Sequence, residues 1–411
     1  MPWDCMMNPT TVPAALIKLR KRDTSYVSYT ATMLASARET IQSALGVGSD
    51  PAPNVPAKMA AVRVYTPAKS RDDIAQVLKV EQVPTPGPGE WEYLIHLRLR
   101  PVHPADRLSV MGQYPGAPDP SKWPMTPGLD GMGVIAKAGQ AALKFTVGQR
   151  VAVAGFPLER GNGTWAEYMV LKEGDIAGIP DDVTDEQAAQ FWTNPVSMWY
   201  MLNRLDTVKG DYVLFSGAHT ALAQMGMKLA HSMGLKPIGV TATDTERDAL
   251  LKSGAPAAAS AAALISLQSE RLTRRVRALT GGAGARAALD CVGGDVTGHL
   301  ACALAPTGSV IVCGMAAGDV AARVPLGPLL LSRLRLEGFW LNGAVEALPP
   351  EARTRIADDV MDAIARGAID LSAAAARKTF ALSDVAAAAK EAARAGGGGD
   401  AARMEFLASD A

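Results

Sequence analysis

The chain has 411 residues, of which 48% are hydrophobic and 20% charged. This composition is typical of a globular protein with about two or three domains. Lysine and arginine together number 41, as do aspartate and glutamate, so no excess of positive charge points to nucleic acid or an anionic membrane. The apolar runs are shorter than the ~20 residues that a membrane-spanning helix needs.

The four cysteines are Cys5, Cys291, Cys302 and Cys313, and they include no Cys-x-x-Cys pair. This pattern indicates a reducing compartment and not a disulfide framework. The five histidines form neither a His-Glu-x-x-His motif nor a cluster with cysteine at zinc-ligand spacing, so the sequence predicts no metal site.

Residues 1–57 differ in composition from the rest of the chain. They are rich in Ser, Thr and Ala, carry a basic cluster from Lys18 to Arg22, and run into the linker-like stretch GVGSDPAPNVPAK. This favours a transit peptide for the mitochondrial matrix, or alternatively for a plastid, although acidic residues nearly cancel the basic ones. The other interpretation is that the chain starts at Met59 and is cytoplasmic, with the upstream stretch dispensable.

From about residue 58, short apolar or alternating runs such as VLKVEQV, YLIHLRLRPV and RVAVAGF predict strands separated by Pro- and Gly-rich turns. From Asp182 the period becomes helical in TDEQAAQFWTNPVSMWYMLNRL, and strands then alternate with helices as far as GSVIVCG. The first pattern predicts a β-rich domain and the second a doubly wound parallel sheet. A helix-rich segment is expected from about Pro349 to Leu407.

The stretch FSGAHTALAQMG lies where such a sheet would place its first βα turn. A dinucleotide-binding turn usually reads Gly-x-Gly-x-x-Gly or Ala, because small residues let the pyrophosphate approach backbone amides at a helix N-terminus. Here the three positions are Ala218, Thr220 and Ala223. Ala223 suits the third position, and the Thr220 hydroxyl could itself bond a phosphate.

Ala218 would be an obstacle only if the turn needed a left-handed backbone there, and the neighbouring Gly217 could meet that need. His219 would lie near the phosphate, or face solvent as loop histidines commonly do. The turn alone is weak evidence for nucleotide binding.

The end of the next predicted strand, GVTATDTER, bears on the type of cofactor. NAD sites usually carry an acid about 20 residues beyond the turn, where this chain has Ala242 and Thr243, with Asp244 and Glu246 just beyond. Thr243 and Arg247 could receive the 2′-phosphate of NADPH, which slightly favours that cofactor. Alternatively, the stretch is only a capped helix start, with Thr243 or Asp244 as the N-cap.

Seven stretches between about Ala60 and Leu407 carry a family likeness: HPADRLSVMGQYP, PGLDGMGVI, GNGTWAEYMV, TNPVSMWYML, LDCVGG, VCGMA and LRLEGFWL. Together they resemble the zinc-free medium-chain dehydrogenases/reductases, and within them the mitochondrial 2-enoyl thioester reductases of fatty-acid synthesis. The pieces resembling GxYP and CVGG also occur in quinone reductases. GTW, the NP before an aromatic helix, and FWL favour the enoyl reductases.

The resemblance implies a GroES-like β-rich catalytic domain over residues 58–195 and 346–411. It also implies a Rossmann cofactor domain, with a doubly wound parallel sheet, over residues 196–345, and an active site in the cleft. The implied cofactor is NADPH, the substrate is a small enoyl thioester of acyl carrier protein or coenzyme A, and the assembly is a homodimer.

The resemblance also implies roles for individual residues. Tyr114, in GQYP, would polarise or protonate the enolate formed from the thioester, and Asn194 would contact the nicotinamide. The other implied cofactor contacts, together with Arg247, are His219, Thr220, Ala221, Leu222, Ala242, Thr243, Asp244, Val312, Cys313, Gly314, Met315, Phe339, Trp340, Leu341, Asn342 and Arg403.

More ordinary interpretations stand beside these roles. Tyr114 would otherwise be a turn aromatic, Asn194 a helix cap before a proline, and Trp340 a packing residue. Cys291 and Cys313 on predicted strands would be small buried hydrophobes.

Two departures from the family pattern lower the expected affinity for NADPH. The phosphate turn reads HTALA where the family has a sequence like NSGVG, so Ala221 and Ala223 replace glycines, and Ala242 and Asp244 stand where the family often has arginines. Three hypotheses follow: enoyl thioester reduction, quinone or alkenal reduction on the same fold, and a non-catalytic scaffold derived from a reductase.

Overall fold

A computed structural model describes residues 54–155, 161–315, 317–318, 321–371, 376–395 and 404–409. These residues form three sheets, of two, six and seven strands. Residues 1–53 of the predicted transit peptide, and the predicted site residue Arg403, lie outside the described residues.

The β-rich part begins with β1 (Lys58–Arg63), the short helix α1 (Ile74–Val77) and β2 (Lys79–Pro84), which pairs antiparallel with β1. Its main elements are β3 (Glu92–Pro101), α2 (Pro104–Val110), β4 (Met132–Ala138), β5 (Arg150–Val153), β6 (Tyr168–Lys172) and β7 (Ile176–Gly178). Along β3, Tyr93, Ile95 and Leu97 enter one hydrophobic core while Leu94 enters another. Side chains of a strand point alternately to its two faces, which is why an almost wholly apolar strand can serve two cores.

The helical segment after Asp182 is not continuous, contrary to the prediction. It divides into α3 (Asp185–Ala189), a π-helical turn (Trp192–Val196) and α4 (Ser197–Arg204). Pro195 lies inside the π-helical turn, where its missing N–H removes a regular helical hydrogen bond. Such turns are rare and are frequently found at functional sites.

The parallel sheet follows, and its elements alternate as the sequence predicts. They are β8 (Tyr212–Ser216), α5 (Ala221–Ser232), β9 (Lys236–Thr241), α6 (Asp244–Lys252), α7 (Pro256–Ser260), β10 (Ala263–Ser266), α8 (Leu272–Leu279), β11 (Ala285–Asp290), α9 (Asp295–Cys302), β12 (Leu304–Val312), α10 (Leu326–Leu331) and β13 (Arg335–Gly338). The strand order is β10-β9-β8-β11-β12-β13, with all pairs parallel. This is the Rossmann order, with its switch point between β8 and β11, so the predicted fold class is confirmed.

The C-terminal part returns to the β-rich sheet. It comprises α11 (Leu341–Glu346), α12 (Pro350–Ala365), β14 (Ala376–Ala381), α13 (Val385–Ala395) and β15 (Met404–Ala408). The sequence predicts a helix-rich segment here and does not indicate β14 and β15. Both strands are short: β14 pairs with β15, and β15 pairs with β3, which is far away in the sequence. Arg100 of β3 is fully buried and donates to the carbonyls of Leu407 and Thr164. These bonds hold β15 against the β-rich part. No helix in the described part of the chain has the length and hydropathy of a membrane span.

Candidate active site

The phosphate turn lies between β8 and α5, at the carboxyl edge of the parallel sheet. Gly217 has φ +59°, whereas Ala218 is not left-handed, so glycine stands at the position where the turn needs it. Thr220 caps α5, its hydroxyl accepting from the Ala223 amide at 3.3 Å. The helix that follows has twelve residues and directs its positive N-terminal end at this edge.

At the end of β9, the stretch that bears on cofactor type forms a capping box. Thr243 caps α6, and Glu246 Oε2 accepts from the amides of Ala242 (2.9 Å) and Thr243 (3.2 Å). His219 of the phosphate turn reaches the same carboxylate, with Nδ1 3.6 Å from Glu246 Oε2. The capped helix start is therefore present, and it links the two segments that the sequence assigns to the nucleotide.

Arg247 is surrounded by acidic side chains. Its guanidinium lies 3.0 Å from Asp244 Oδ1, 3.0 Å from Asp248 Oδ1 and 3.6 Å from Glu270 Oε1. Its charge is thus compensated before any ligand arrives. A 2′-phosphate would meet an arginine already engaged by carboxylates.

The switch point is held by a carboxylate that sequence reasoning did not single out. Asp290, fully buried at the end of β11, accepts from Ser216 Oγ at 2.7 Å, from Thr297 Oγ1 at 2.6 Å and from the amide of Gly293 at 3.0 Å. These bonds fix the ends of β8 and β11 to each other. The motif LDCVGG contained the signal, because an acid at the end of a buried strand needs internal partners.

The segment Val312–Met315 follows the end of β12 at the same edge. Cys313 Sγ lies 3.6 Å from Sγ of Cys291, and the side chain of Met315 is 72% exposed. The expectation that both cysteines are buried holds for Cys291, while Cys313 is only half-buried. Cys313 is therefore accessible to a ligand at this edge.

The segment Phe339–Asn342 leads from β13 towards the β-rich part. The Phe339 amide donates to the Val312 carbonyl at 2.8 Å, and its ring packs against Tyr200 with centroids 5.8 Å apart. Trp340 is 40% exposed, whereas Leu341 and Asn342 are buried. Packing alone does not account for Trp340, since much of its indole is accessible.

Tyr114 is held by a tight turn formed by Tyr114, Pro115, Gly116 and Ala117. The Ala117 amide donates to the Tyr114 carbonyl at 3.1 Å, and Gly116 has φ +87°, which is the geometry that Pro-Gly favours at the centre of a type II turn. A Cβ on Gly116 would come within 3.3 Å of Asn342 Nδ2, so glycine also permits close approach of the segment after β13.

The Tyr114 hydroxyl donates to Asn342 Oδ1 at 3.4 Å and is half-buried, where the segment after β13 meets the loop after α2. Burial raises its pKa to about 12, an interaction with the Trp340 side chain acts in the opposite direction, and the charges of Asp130 and Asp106 raise it further. The hydroxyl therefore remains protonated at neutral pH and is available as a hydrogen-bond donor.

Asn194 lies on the π-helical turn and is bonded to the β-rich part. Its Oδ1 is 3.0 Å from Nε2 of His103, the N-cap of α2. Burial lowers the pKa of His103 to about 4, although the bond with Asn194 opposes the shift. Asn194 is thus not a helix cap, because the π-helical turn starts before it.

Two buried carboxyl groups lie beside this pair. Asp106 accepts from the amides of His103 (2.7 Å) and Leu129 (3.0 Å), and Asp130 accepts from the Thr193 hydroxyl (2.5 Å). Burial raises the pKa of Asp130 to about 7 and raises that of Asp106 well above its ordinary value. We call His103, Asp106, Tyr114, Asp130, Thr193, Asn194 and Asn342 the cleft cluster.

The sequence alone did not indicate roles for His103, Asp106, Asp130 or Thr193, although all four lie in stretches that carry the family likeness. A local signal existed for two of them. His-Pro-Ala-Asp places a capping side chain, a proline at the first helical position and an acid at the third, which marks a helix start.

The cleft cluster does not fit a zinc ion. His103 uses Nδ1 to accept from the Ala105 amide and Nε2 for Asn194, so neither nitrogen is available to a metal. Within the described residues, no three His, Cys, Asp or Glu side chains are grouped so that they could hold one.

Comparisons with known proteins agree with this two-part architecture. The family model of zinc-binding dehydrogenases matches residues 221–358, and that of alcohol dehydrogenase GroES-like domains matches residues 88–181. The chain is 28% identical over 256 residues to the mitochondrial enoyl-[acyl-carrier-protein] reductase of Caenorhabditis elegans, covering 62% of this chain and 70% of that protein.

A second group of relatives carries a different name. The chain is 28% identical over 323 residues to a quinone oxidoreductase of Pseudomonas aeruginosa, covering 77% of this chain and 92% of that protein. Among solved structures, a mycobacterial protein in complex with NADPH is similar with a TM-score of 0.67 and 26% identity, covering 85% of this chain and 99% of that one.

Proposed function

We propose that this chain, which belongs to the medium-chain dehydrogenase/reductase superfamily of NAD(P)-dependent oxidoreductases, reduces trans-2-enoyl thioesters with NADPH. The observation that carries the proposal is the Tyr114 hydroxyl, protonated and half-buried beside Asn342. Enoyl reduction places negative charge on the thioester oxygen, and a fixed donor aimed at that oxygen lowers the barrier.

The carboxyl edge of the parallel sheet offers the residues that would hold NADPH. The α5 N-terminus and Gly217 fit the pyrophosphate, and the segment at the end of β9 fits the adenosine ribose. When bound, NADPH supplies the hydride that the β-carbon of the thioester accepts. Because Arg247 is already compensated by carboxylates, we expect only a modest preference over NADH.

Tyr114 would serve the other half of the reaction. Its hydroxyl donates to the developing enolate oxygen, and the raised pKa keeps it protonated until charge develops there. The hydroxyl has a single proton, which lies towards Asn342 Oδ1 at 3.4 Å without substrate, so substrate binding would turn this proton from Asn342 to the enolate oxygen. Trp340, partly exposed beside it, offers an apolar wall to the acyl chain.

The second candidate is reduction of quinones or alkenals. It is favoured by the 92% coverage of the Pseudomonas aeruginosa quinone oxidoreductase and by the half-exposed Trp340, an aromatic surface on which a quinone could stack. The third candidate, a scaffold without catalysis, rests on the alanines of HTALA. Gly217 weakens it, because the left-handed position in the turn is still a glycine.

The deciding experiment is NADPH oxidation by the chain from Met59 onward, with trans-2-hexenoyl-CoA and a benzoquinone as parallel acceptors. Preferential oxidation with the enoyl thioester supports the first candidate, and oxidation with quinone alone supports the second. Saturable NADPH binding without turnover of either acceptor contradicts both. Absence of NADPH binding supports the scaffold.

We further propose a homodimer formed along β13. Leu326, Leu330 and Leu331 of α10 are 68%, 69% and 88% exposed, and Leu336 of β13 is 47% exposed. Within the described residues β13 pairs only with β12, so its other edge is open to a second copy. Light scattering should give twice the chain mass, and Leu331→Asp should shift it to the monomer. The control is Leu251→Asp, at a position 55% exposed on α6.

Residues 1–57 are proposed to direct the chain to the mitochondrial matrix. Fusion of these residues to a fluorescent protein should give mitochondrial import, whereas the same reporter fused to the chain from Met59 should remain in the cytosol. Diffuse fluorescence of the first fusion would contradict the proposal.

A further inference from the structure

The His103 imidazole uses both of its nitrogens in hydrogen bonds. Nδ1 lies 3.1 Å from the Ala105 amide, and Nε2 lies 3.0 Å from Asn194 Oδ1. A backbone N–H can only donate, so Nδ1 carries no proton. The ring must then be the neutral tautomer with its proton on Nε2.

The surroundings keep His103 in that form. The residue is only 8% exposed, and burial, together with the charge of Arg107, lowers its pKa to about 4. The neighbouring carboxyl groups of Asp106 and Asp130 are turned to other donors, namely backbone amides and Thr193. The ring is therefore neutral at physiological pH.

This tautomer determines the orientation of the Asn194 amide. Nε2–H donates, so its partner on Asn194 must be the carboxamide oxygen, and the amide NH₂ group lies on the side away from His103. In the described part of the structure the NH₂ group has no protein partner, and Asn194 is half-buried. The backbone of the turn is fixed as well, because Thr193 donates to Asp130 and its carbonyl accepts from Ser197.

We propose that His103 is a positioning residue, which locks the Asn194 carboxamide so that its NH₂ group donates to a carbonyl oxygen of the bound ligands. The inference rests on the proposed function, which places cofactor and substrate in this cleft. The carbonyl oxygen has two sources, the carboxamide of nicotinamide and the thioester of the substrate. Without the lock, the Asn194 amide could turn its oxygen towards the ligand, and a carbonyl oxygen would then meet an acceptor in place of a donor.

Two substitutions separate the functions of the two ring nitrogens. His103→Asn keeps an oxygen that can cap α2, since Asn is among the best N-cap residues, but it is too short to reach Asn194. His103→Gln places an amide NH₂ where Nε2 was. We expect His103→Asn to weaken ligand binding or turnover about three- to tenfold, the range for one hydrogen bond. His103→Gln should recover part of the loss, because its carboxamide can present either NH₂ or oxygen to Asn194.

The two sources of the carbonyl are distinguished by where the loss occurs. A higher Kd of NADPH, measured by its fluorescence without substrate, assigns the contact to the nicotinamide carboxamide. An unchanged NADPH Kd with a lower kcat/KM for trans-2-hexenoyl-CoA assigns it to the thioester. Unchanged values for both in His103→Asn would overturn the proposal.

A double-mutant cycle with Asn194→Ala tests whether His103 acts through Asn194. The loss caused by His103→Asn should disappear in the Asn194→Ala background, and a loss that persists there would overturn the proposal. A ligand-free test keeps it separate from the proposed reaction: the side-chain amide resonances of Asn194 should shift in His103→Asn and stay near their original positions in His103→Gln. If these resonances do not move, the proposal fails whatever the substrate is.

Discussion

The two sides of the candidate site are built differently. At the nucleotide edge, the two helix starts are capped by residues nearby in sequence, Thr220 with Ala223 and Thr243 with Glu246, although Asp290 also joins the ends of β8 and β11. In the cleft cluster, the bonds join residues far apart, with a sequence separation of 91 for His103 and Asn194 and of 228 for Tyr114 and Asn342. The edge is half-exposed and its charges are compensated locally, whereas the cleft cluster is largely buried. Substitutions in the cleft should therefore have larger effects than substitutions at the edge.

The largest effect is expected from Tyr114→Phe. This change deletes the hydroxyl while keeping the ring, and the loss of a general acid typically costs about 10²–10⁴ in rate. Turnover of trans-2-hexenoyl-CoA should fall by that factor in steady-state assays. The Kd of NADPH should stay within about twofold, since Tyr114 is assigned to the substrate and not to the nucleotide. Unchanged turnover would remove Tyr114 from the mechanism.

Asp130→Asn should change how stability depends on pH. Burial raises the folded-state pKa of Asp130 from 3.8 to about 7, so its stabilising contribution is present below pH 4 and is lost as pH rises through 7. A pKa shift of this size corresponds to a loss of about 4 kcal/mol in the free energy of unfolding as Asp130 ionises. The Asn variant has no ionisable group at this position and avoids that loss. The variant should gain stability relative to the original chain between pH 4 and 8.

Urea unfolding of both proteins across that range measures the difference. Contributions of His103, whose lowered pKa acts in the opposite direction, occur in both chains and cancel to first order. Asp106 is the other carboxyl that interacts with Asp130. The negative charge of Asp130 raises the pKa of Asp106, so its removal should lower the pKa of Asp106. Parallel curves for the two proteins would show that Asp130 ionises as freely in the folded chain as in the unfolded one.

Gly217→Ala tests the nucleotide edge. Alanine at φ +59° is strained by about 1–2 kcal/mol, and its Cβ would lie 3.1 Å from Val292 Cγ2. The turn should shift, and the Kd of NADPH should rise about tenfold, the factor that 1.4 kcal/mol represents.

Gly210→Ala is the matched control. This residue also has a positive φ, +93°, but no atom of the described residues lies within 4 Å of its added Cβ. It should lower the melting temperature without changing the Kd of NADPH. If both variants bind NADPH equally well, Gly217 has no special part in the phosphate turn.

The smallest effect is expected from Arg247→Ala. Because Asp244 and Asp248 already neutralise this side chain, its removal should raise the Kd of NADPH only about threefold and leave the Kd of NADH unchanged. Arg275→Ala is the control. Arg275 also pairs with Glu270, one of the acidic partners of Arg247, but it belongs to α8 and not to the segment after β9. A loss of a hundredfold would mean that the arginine is released from its carboxylates when the cofactor binds.

The sequence by itself determined the alternation of strands and helices, because the hydrophobic period is a local property that survives in every short window. It also located the phosphate turn and a helix start at Thr243 or Asp244, since both depend on a few adjacent residues, and the structure identifies Thr243 as the cap. It did not show the π-helical turn, where Pro195 breaks a pattern that otherwise looks continuous, nor the strands β14 and β15, which are stabilised by distant pairing.

Only the tertiary structure decided which polar residues meet. It placed Asn342 against Tyr114, Asn194 against His103, and Thr193 against Asp130, and it buried two carboxyl groups that look like ordinary helix and loop residues in the sequence. The physical reason is that the pKa values and hydrogen-bond roles of these groups arise from burial and from partners on other elements. No window of the sequence contains both partners of any of these bonds.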